Sequence, residues 1–81
     1  METIKITPAE ETIFNDFKEG NSVQVRVTVQ KGEEGKYAKG KTVKVVFNNA
    51  ESTARIVSDP LVVQPETDDG KELISLIVEK S

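Results

Sequence analysis

The sequence contains no cysteine, no histidine and no tryptophan. The missing cysteine excludes disulfide bracing, thiolate nucleophiles and sulfur ligation of metals. The missing histidine excludes imidazole acid–base catalysis and, together with the first absence, the usual zinc sites. Only three prolines, five glycines and four aromatic residues occur in 81 residues. Stability must come from packing alone. No apolar run approaches membrane-spanning length. The start, "METIKITPAEE", lacks the basic opening and apolar centre of a secretory leader, so the expectation is a cytoplasmic protein with no membrane association.

What is present is abundant charge and abundant valine. Charged residues make up 31% of the chain and hydrophobic ones 36%, a balance typical of one folded domain spanning residues 1–81. The formal net charge is −3, unevenly placed. Residues 1–20 carry −3, residues 21–44 carry +4 and residues 45–81 carry −4. Such polarity can orient the molecule toward an anionic partner, although salt and neighbouring acids weaken the field with distance.

The first strand signal is Thr3–Thr7, alternating polar and apolar. Thr7, Pro8 and Glu10 then form a capping-box pattern with proline at the first helical position. A helix over about Pro8–Glu19 follows, with Ala9, Ile13, Phe14 and Phe17 as its apolar stripe and Gly20 as its stop. "SVQVRVTVQ" alternates strictly, placing Val23, Val25, Val27 and Val29 on one face. "TVKVVFNN" and "STARIVS" predict a hairpin over 42–57 with a loop at about 48–51. Leu61–Gln64 predicts a short strand between prolines, followed by an acidic turn at Thr67–Lys71. Leu73, Ile74, Leu76, Ile77 and Val78 are apolar on both faces, as expected of a strand that is central or covered by the helix. The order β–α–β–β–β–β–β predicts an α+β fold: a small, five- to six-stranded, mostly antiparallel barrel-like sheet with one N-terminal helix. Closure would remove exposed strand edges.

Several residues are candidates for binding. Lys31, Lys36, Lys39, Lys41 and Lys44 stand in one stretch with Tyr37. Lysines that neutralise phosphates beside a ring that stacks on a base are the combination used for single-stranded nucleic acid. The alternative is a solvated hairpin loop whose lysines guard strand edges. Arg26 on the polar face of its strand, with Arg55 as a possible neighbour, could fork onto a phosphate or a base edge, or make a cross-strand pair. Glu66, Asp68, Asp69 and Glu72 could gather a hard cation but lack the alternating oxygen ligands of a calcium loop, so a solvated turn is the expectation and no metal is assigned. No nucleophile sits in a recognisable elbow, and Gly32, Gly35 and Gly40 lack the spacing and following helix of a phosphate loop. No catalytic residue and no cofactor is assigned.

The capped helix, "FKEG" at 17–20, the strand carrying Arg26, "YAKGKTVKVV" at 37–46 and "ARIVS" at 54–58 together resemble the PUA-like superfamily, in particular its compact ASCH branch. The resemblance implies a barrel that binds RNA or nucleobases, with Arg26 and the Gly20–Gln24 face bordering the cleft. Where the branch carries a lysine after the glycine and a glutamate before the arginine, this chain has Ser22 and Gln24, and its usual glycine–aspartate is Gly40–Lys41. The first functional expectation is therefore a non-catalytic module for RNA, single-stranded nucleic acid or a nucleotide. The second is a protein-interaction module, a small inhibitor or accessory subunit docking through an edge strand or an acidic surface. The third is an ASCH-type nucleoside amidohydrolase. The sequence assigns no oligomeric state.

Overall fold

The computed structural model describes residues 1–64 and 69–81. Among them, strands β1 (Thr3–Ile6), β2 (Val23–Gln30), β3 (Thr42–Phe47), β4 (Ala50–Ile56), β5 (Leu61–Gln64) and β6 (Lys71–Lys80) accompany one helix, α1 (Glu11–Lys18). The strands form a nearly closed, barrel-shaped mixed sheet in the order β1-β3-β4-β6-β2, with β5 also paired to β6. The α+β barrel-like expectation holds. Only β1 and β3 run parallel, joined in register from Thr3↔Lys44 to Ile6↔Phe47. The described pairs elsewhere are antiparallel.

The helix begins more tightly than its sequence signal predicts. Pro8–Glu10 form a 3-10 turn, and α1 proper starts at Glu11. The Glu10 carboxylate accepts hydrogen bonds from the Thr7 hydroxyl at 3.0 Å and the Thr7 N–H at 3.4 Å, while the Glu10 N–H donates to the Thr7 carbonyl at 2.9 Å. Ala9 is consequently exposed and off the apolar stripe, because a three-residue turn does not continue the α-helical phase. Phe14 and Phe17 are buried, and Phe14 stacks on Phe47 of β3 with ring centroids 4.7 Å apart. At the other end, Gly20 adopts φ +96°. Its N–H donates to the Phe17 carbonyl and that of Asn21 to the Asp16 carbonyl, the Schellman pattern that satisfies orphan helix carbonyls.

Period-two alternation decides the core. Val23, Val25 and Val29 from β2, Val43, Val45 and Phe47 from β3, and Ile74, Leu76 and Val78 from β6 point inward and are buried. Asn48, at φ +52°, and Asn49 turn β3 directly into β4, so this hairpin is tighter than the loop at 48–51 expected for it. Strand β6 is central. One edge pairs with β2 from Val23↔Val78 to Gln30↔Lys71. The other is divided: β4 takes Val78–Lys80, and β5 takes Leu73–Ser75 with an irregularity between Val62 and Gln64. Between them the Val57 N–H donates to the Ile77 carbonyl at 2.8 Å and the Ile77 N–H to the Ser58 hydroxyl at 3.0 Å. Central position does not bring cover on both faces, however. Ile77 is 38% exposed and Leu73 half-buried, on the outer face that they share with buried Ser75. No helix among the described residues is long and apolar enough to cross a membrane.

Candidate functional site

The lysine-rich stretch is stitched to the end of the barrel and is not a free excursion. The Lys31 N–H donates to the Gly70 carbonyl at 3.0 Å, and the Gly40 N–H donates to the Ile56 carbonyl at 2.8 Å. The Ile56 N–H returns to the Lys41 carbonyl at 2.9 Å, and the Lys39 N–H reaches Asp59 Oδ1 at 3.4 Å. A second 3-10 turn, Glu34–Tyr37, lies between these anchors. Its backbone is fixed while its lysine side chains stay exposed. Lys36 Nζ lies 3.6 Å from Glu33, and Lys44 Nζ lies 3.6 Å from Glu51. Both are exposed pairs, each worth about 0–1 kcal/mol.

Tyr37 does not stand ready to stack on a base. It is 7% exposed and belongs to the core cluster. Burial pushes its hydroxyl above the usual tyrosine range, and the Glu2 charge, a hydrogen bond to Glu2 and the Glu33 charge add to the effect. With Glu2 and Val29, Tyr37 lines a cleft at one end of the barrel. The sequence marked an aromatic residue among lysines, but only packing could decide which way it faces.

The other binding candidates lie on separate walls. Arg26 projects from the outer face of β2 opposite Ser75, and Gln24 on the same face hydrogen-bonds Ser75 Oγ. Arg55 projects from β4 opposite Thr42 and Glu79. The two arginines are therefore four residues apart along β6, roughly 13 Å at strand rise, and on opposite edges of it. They are not neighbours. Lys44 pairs with Thr53 on the β3–β4 wall, diagonal to Arg55, whereas Lys31, Lys36, Lys39 and Lys41 lie in the segment that joins β2 to β3. At the Tyr37 end of the barrel a cleft of about 290 Å³ is lined by Glu2, Gln30, Glu33, Lys36, Tyr37 and Lys71. It brings acids and ammonium groups together, so much of its charge is balanced internally. Arg26 lines neither this cleft nor the second one described below.

Of the acidic turn, Glu66 and Asp68 lie outside the described residues. Asp69 Oδ1 accepts the Lys71 N–H at 3.3 Å, and Gly70 takes φ +77°, as a turn requires. Among the described residues no three carboxylates gather into a metal site.

Two features escaped the reading of residue types. The first is β5, where Leu61 is 69%, Val62 51% and Val63 46% exposed. Only exposure, not composition, separates it from a core strand. The second is Glu72, buried at 7% exposure, with no hydrogen-bond partner on Oε1. Its signal was legible: it shares the inward phase of Ile74, Leu76 and Val78 and stands opposite buried Val29. A second cleft, of about 140 Å³, is lined by Thr28, Gln64, Asp69, Lys71, Glu72 and Leu73. It adjoins the end of β5. No family model matches the chain, and neither the curated proteins nor the solved structures include a significant match to it.

Proposed function

We propose that this chain is a protein-interaction module that receives an extended segment of a partner along β5. The observation that carries the reading is a run of three exposed apolar residues on a strand that, among the described strands, pairs only with β6. A strand edge offers unpaired backbone groups that template a further strand, and proteins guard such edges with charge, burial or closure. The terminal strands of the sheet follow that practice: β1 carries Lys5, β2 carries Arg26, and the barrel is nearly closed between them. Leu61–Gln64 carries no charge. Outer-face Ile77 extends the apolar surface beside Leu61, giving an incoming strand side chains to cover as well as a backbone to pair with.

The test is titration of the isotope-labelled protein with a short peptide of alternating valine and threonine, followed by amide chemical shifts. Shifts concentrated at Leu61–Gln64 and lost in Val63→Lys are the expected result; unmoved β5 amides at millimolar peptide overturn it. Nucleic-acid binding is the second reading, favoured by Lys39 and Lys41, which are exposed on a fixed backbone and make no described ion pair. It requires salt-sensitive binding of single-stranded RNA that disappears when Lys36, Lys39 and Lys41 are reversed to glutamate.

A further inference from the structure

We infer that the partner segment turns, just past the part that pairs with β5, over the outer face of β6 and presents an aspartate or glutamate side chain to Arg26. The inference rests on the strand-docking reading above and names the chemistry of its partner.

Three observations carry it. The first is an unmatched cation. Arg26 is exposed, and among the described residues it makes no ion pair and no side-chain hydrogen bond. The residue opposite it on β6 is Ser75, whereas the other arginine, Arg55, stands opposite Glu79. A guanidinium is always charged, and its fork of N–H groups matches a carboxylate through two parallel hydrogen bonds. The second is the character of the face around it. Arg26, Ser75 and Leu61 stand side by side in one cross-strand row, with Gln24 and Ile77 in the next row and Thr28 and Leu73 in the one after. Arg26 is the single charge in these three rows. Leu61 and Ile77 are exposed, Ser75 is buried, and the carboxylate closest to Leu61 along the described chain, that of Asp59, accepts the Lys39 N–H. With apolar neighbours and no competing acid, an ion pair covered by a docked segment is screened less by water than one on open surface. The third is what the face lacks. Phe14, Phe17, Phe47 and Tyr37, all the aromatic residues of the chain, are buried, so no ring stands beside Arg26 to stack on a base. That favours a carboxylate on a peptide over a phosphate on single-stranded nucleic acid. Arg26 lies two strand spacings from β5, roughly 10 Å, so a segment paired to the free edge of β5 reaches it within a few residues.

The experiment compares two fluorescein-labelled, C-terminally amidated peptides of alternating valine and threonine by anisotropy against the full chain. One is extended at both ends by two glycines and a glutamate, and its twin has glutamine in place of each glutamate. Wild type is expected to bind the glutamate peptide about fivefold more tightly at low salt, the scale of one ion pair at a partly covered surface, against the repulsion of a chain whose net charge is −3. Arg26→Gln is expected to erase that preference while still binding both peptides, and Arg26→Lys to retain part of it, with thermal melts verifying that each variant is folded. Val63→Lys is expected to abolish binding of the glutamine twin, as docking on β5 requires. Equal affinity of wild type for the two peptides overturns the acidic partner and leaves strand docking standing. A preference that persists in Arg26→Gln places the carboxylate on another cation and overturns the inference as well. Failure of both peptides to bind overturns the docking reading itself. Single-stranded RNA that displaces the glutamate peptide from wild type and does not bind Arg26→Gln assigns the face to nucleic acid, and a wild-type dimer in sedimentation that Arg26→Gln dissociates assigns it to a second copy; either overturns the inference.

Discussion

Strands β3 and β5 are written in almost the same letters and meet opposite fates. "TVKVVF" buries Val43, Val45 and Phe47, two of them to complete exclusion from solvent, whereas "LVVQ" leaves all four residues exposed. The difference lies in what stands beside each strand. β3 is flanked by β1 and β4, and its inward face meets Phe14 of α1 through Phe47. β5 has β6 on one side and no described strand on the other. The same valine is core material in one place and recognition surface in the other, because burial belongs to the environment and not to the residue.

The comparison can be broken most directly with matched substitutions. Val45→Lys forces an ammonium into a fully buried position and is expected to cost about 4 kcal/mol or more, enough to unfold much of the population of so small a domain. Val63→Lys, on a strand already in contact with water, is expected to change stability by about 0.5 kcal/mol or less. Urea unfolding of the two variants reads the contrast, and equal losses would mean that β5 contributes to the core as β3 does.

Glu72 sharpens the comparison from the other side, as a polar residue in a buried phase. Glu72→Met removes an unsatisfied carboxylate while keeping the side chain's reach, and is expected to raise stability by about 1–3 kcal/mol. A rise in melting temperature would mean that the unsatisfied carboxylate costs the fold stability. A fall would mean that Glu72 has a stabilising role at the barrel end.

Tyr37 gives the subtlest test, since it is the aromatic residue that folding moved from the lysine stretch into the core. Its hydroxyl is held above the ordinary value of 10.0, first by burial and then by Glu2 and Glu33. The folded state therefore holds this proton more tightly than the unfolded chain does. The associated stability is fully present below pH 10.0, the unfolded value, and is lost as pH rises through the higher folded value. As the chain has one tyrosine and no tryptophan, phenolate absorbance reports this group alone. Titration delayed beyond pH 10.0 in the folded protein, and a weaker alkaline loss of stability in Tyr37→Phe, are the expected outcomes.

Much of the architecture was legible in local chemistry. The Thr7–Pro8–Glu10 start, the Gly20 stop and the strict alternation of β2 each contain their own physical reason within a few residues, and all three are realised. The acid at position 72 was equally legible by its phase, had the period of β6 been carried one step toward its beginning. Arg26 and Arg55 illustrate the opposite case. Each was visible as an outward-facing cation, but their separation depends on the register of two different strands against β6, and that register is a property of the sheet.

The sequence by itself determined the order of elements, the capping box and the glycine that bracket the helix, and the inward faces of β2 and β3, because those follow from backbone preferences and side-chain period over short distances. The tertiary structure alone decided that Tyr37 joins the core, that Lys44 and the two arginines stand on separate walls, and that β5 remains exposed. Those outcomes turn on which strand lies next to which and on what is left to cover each face, and no window of adjacent residues contains that information.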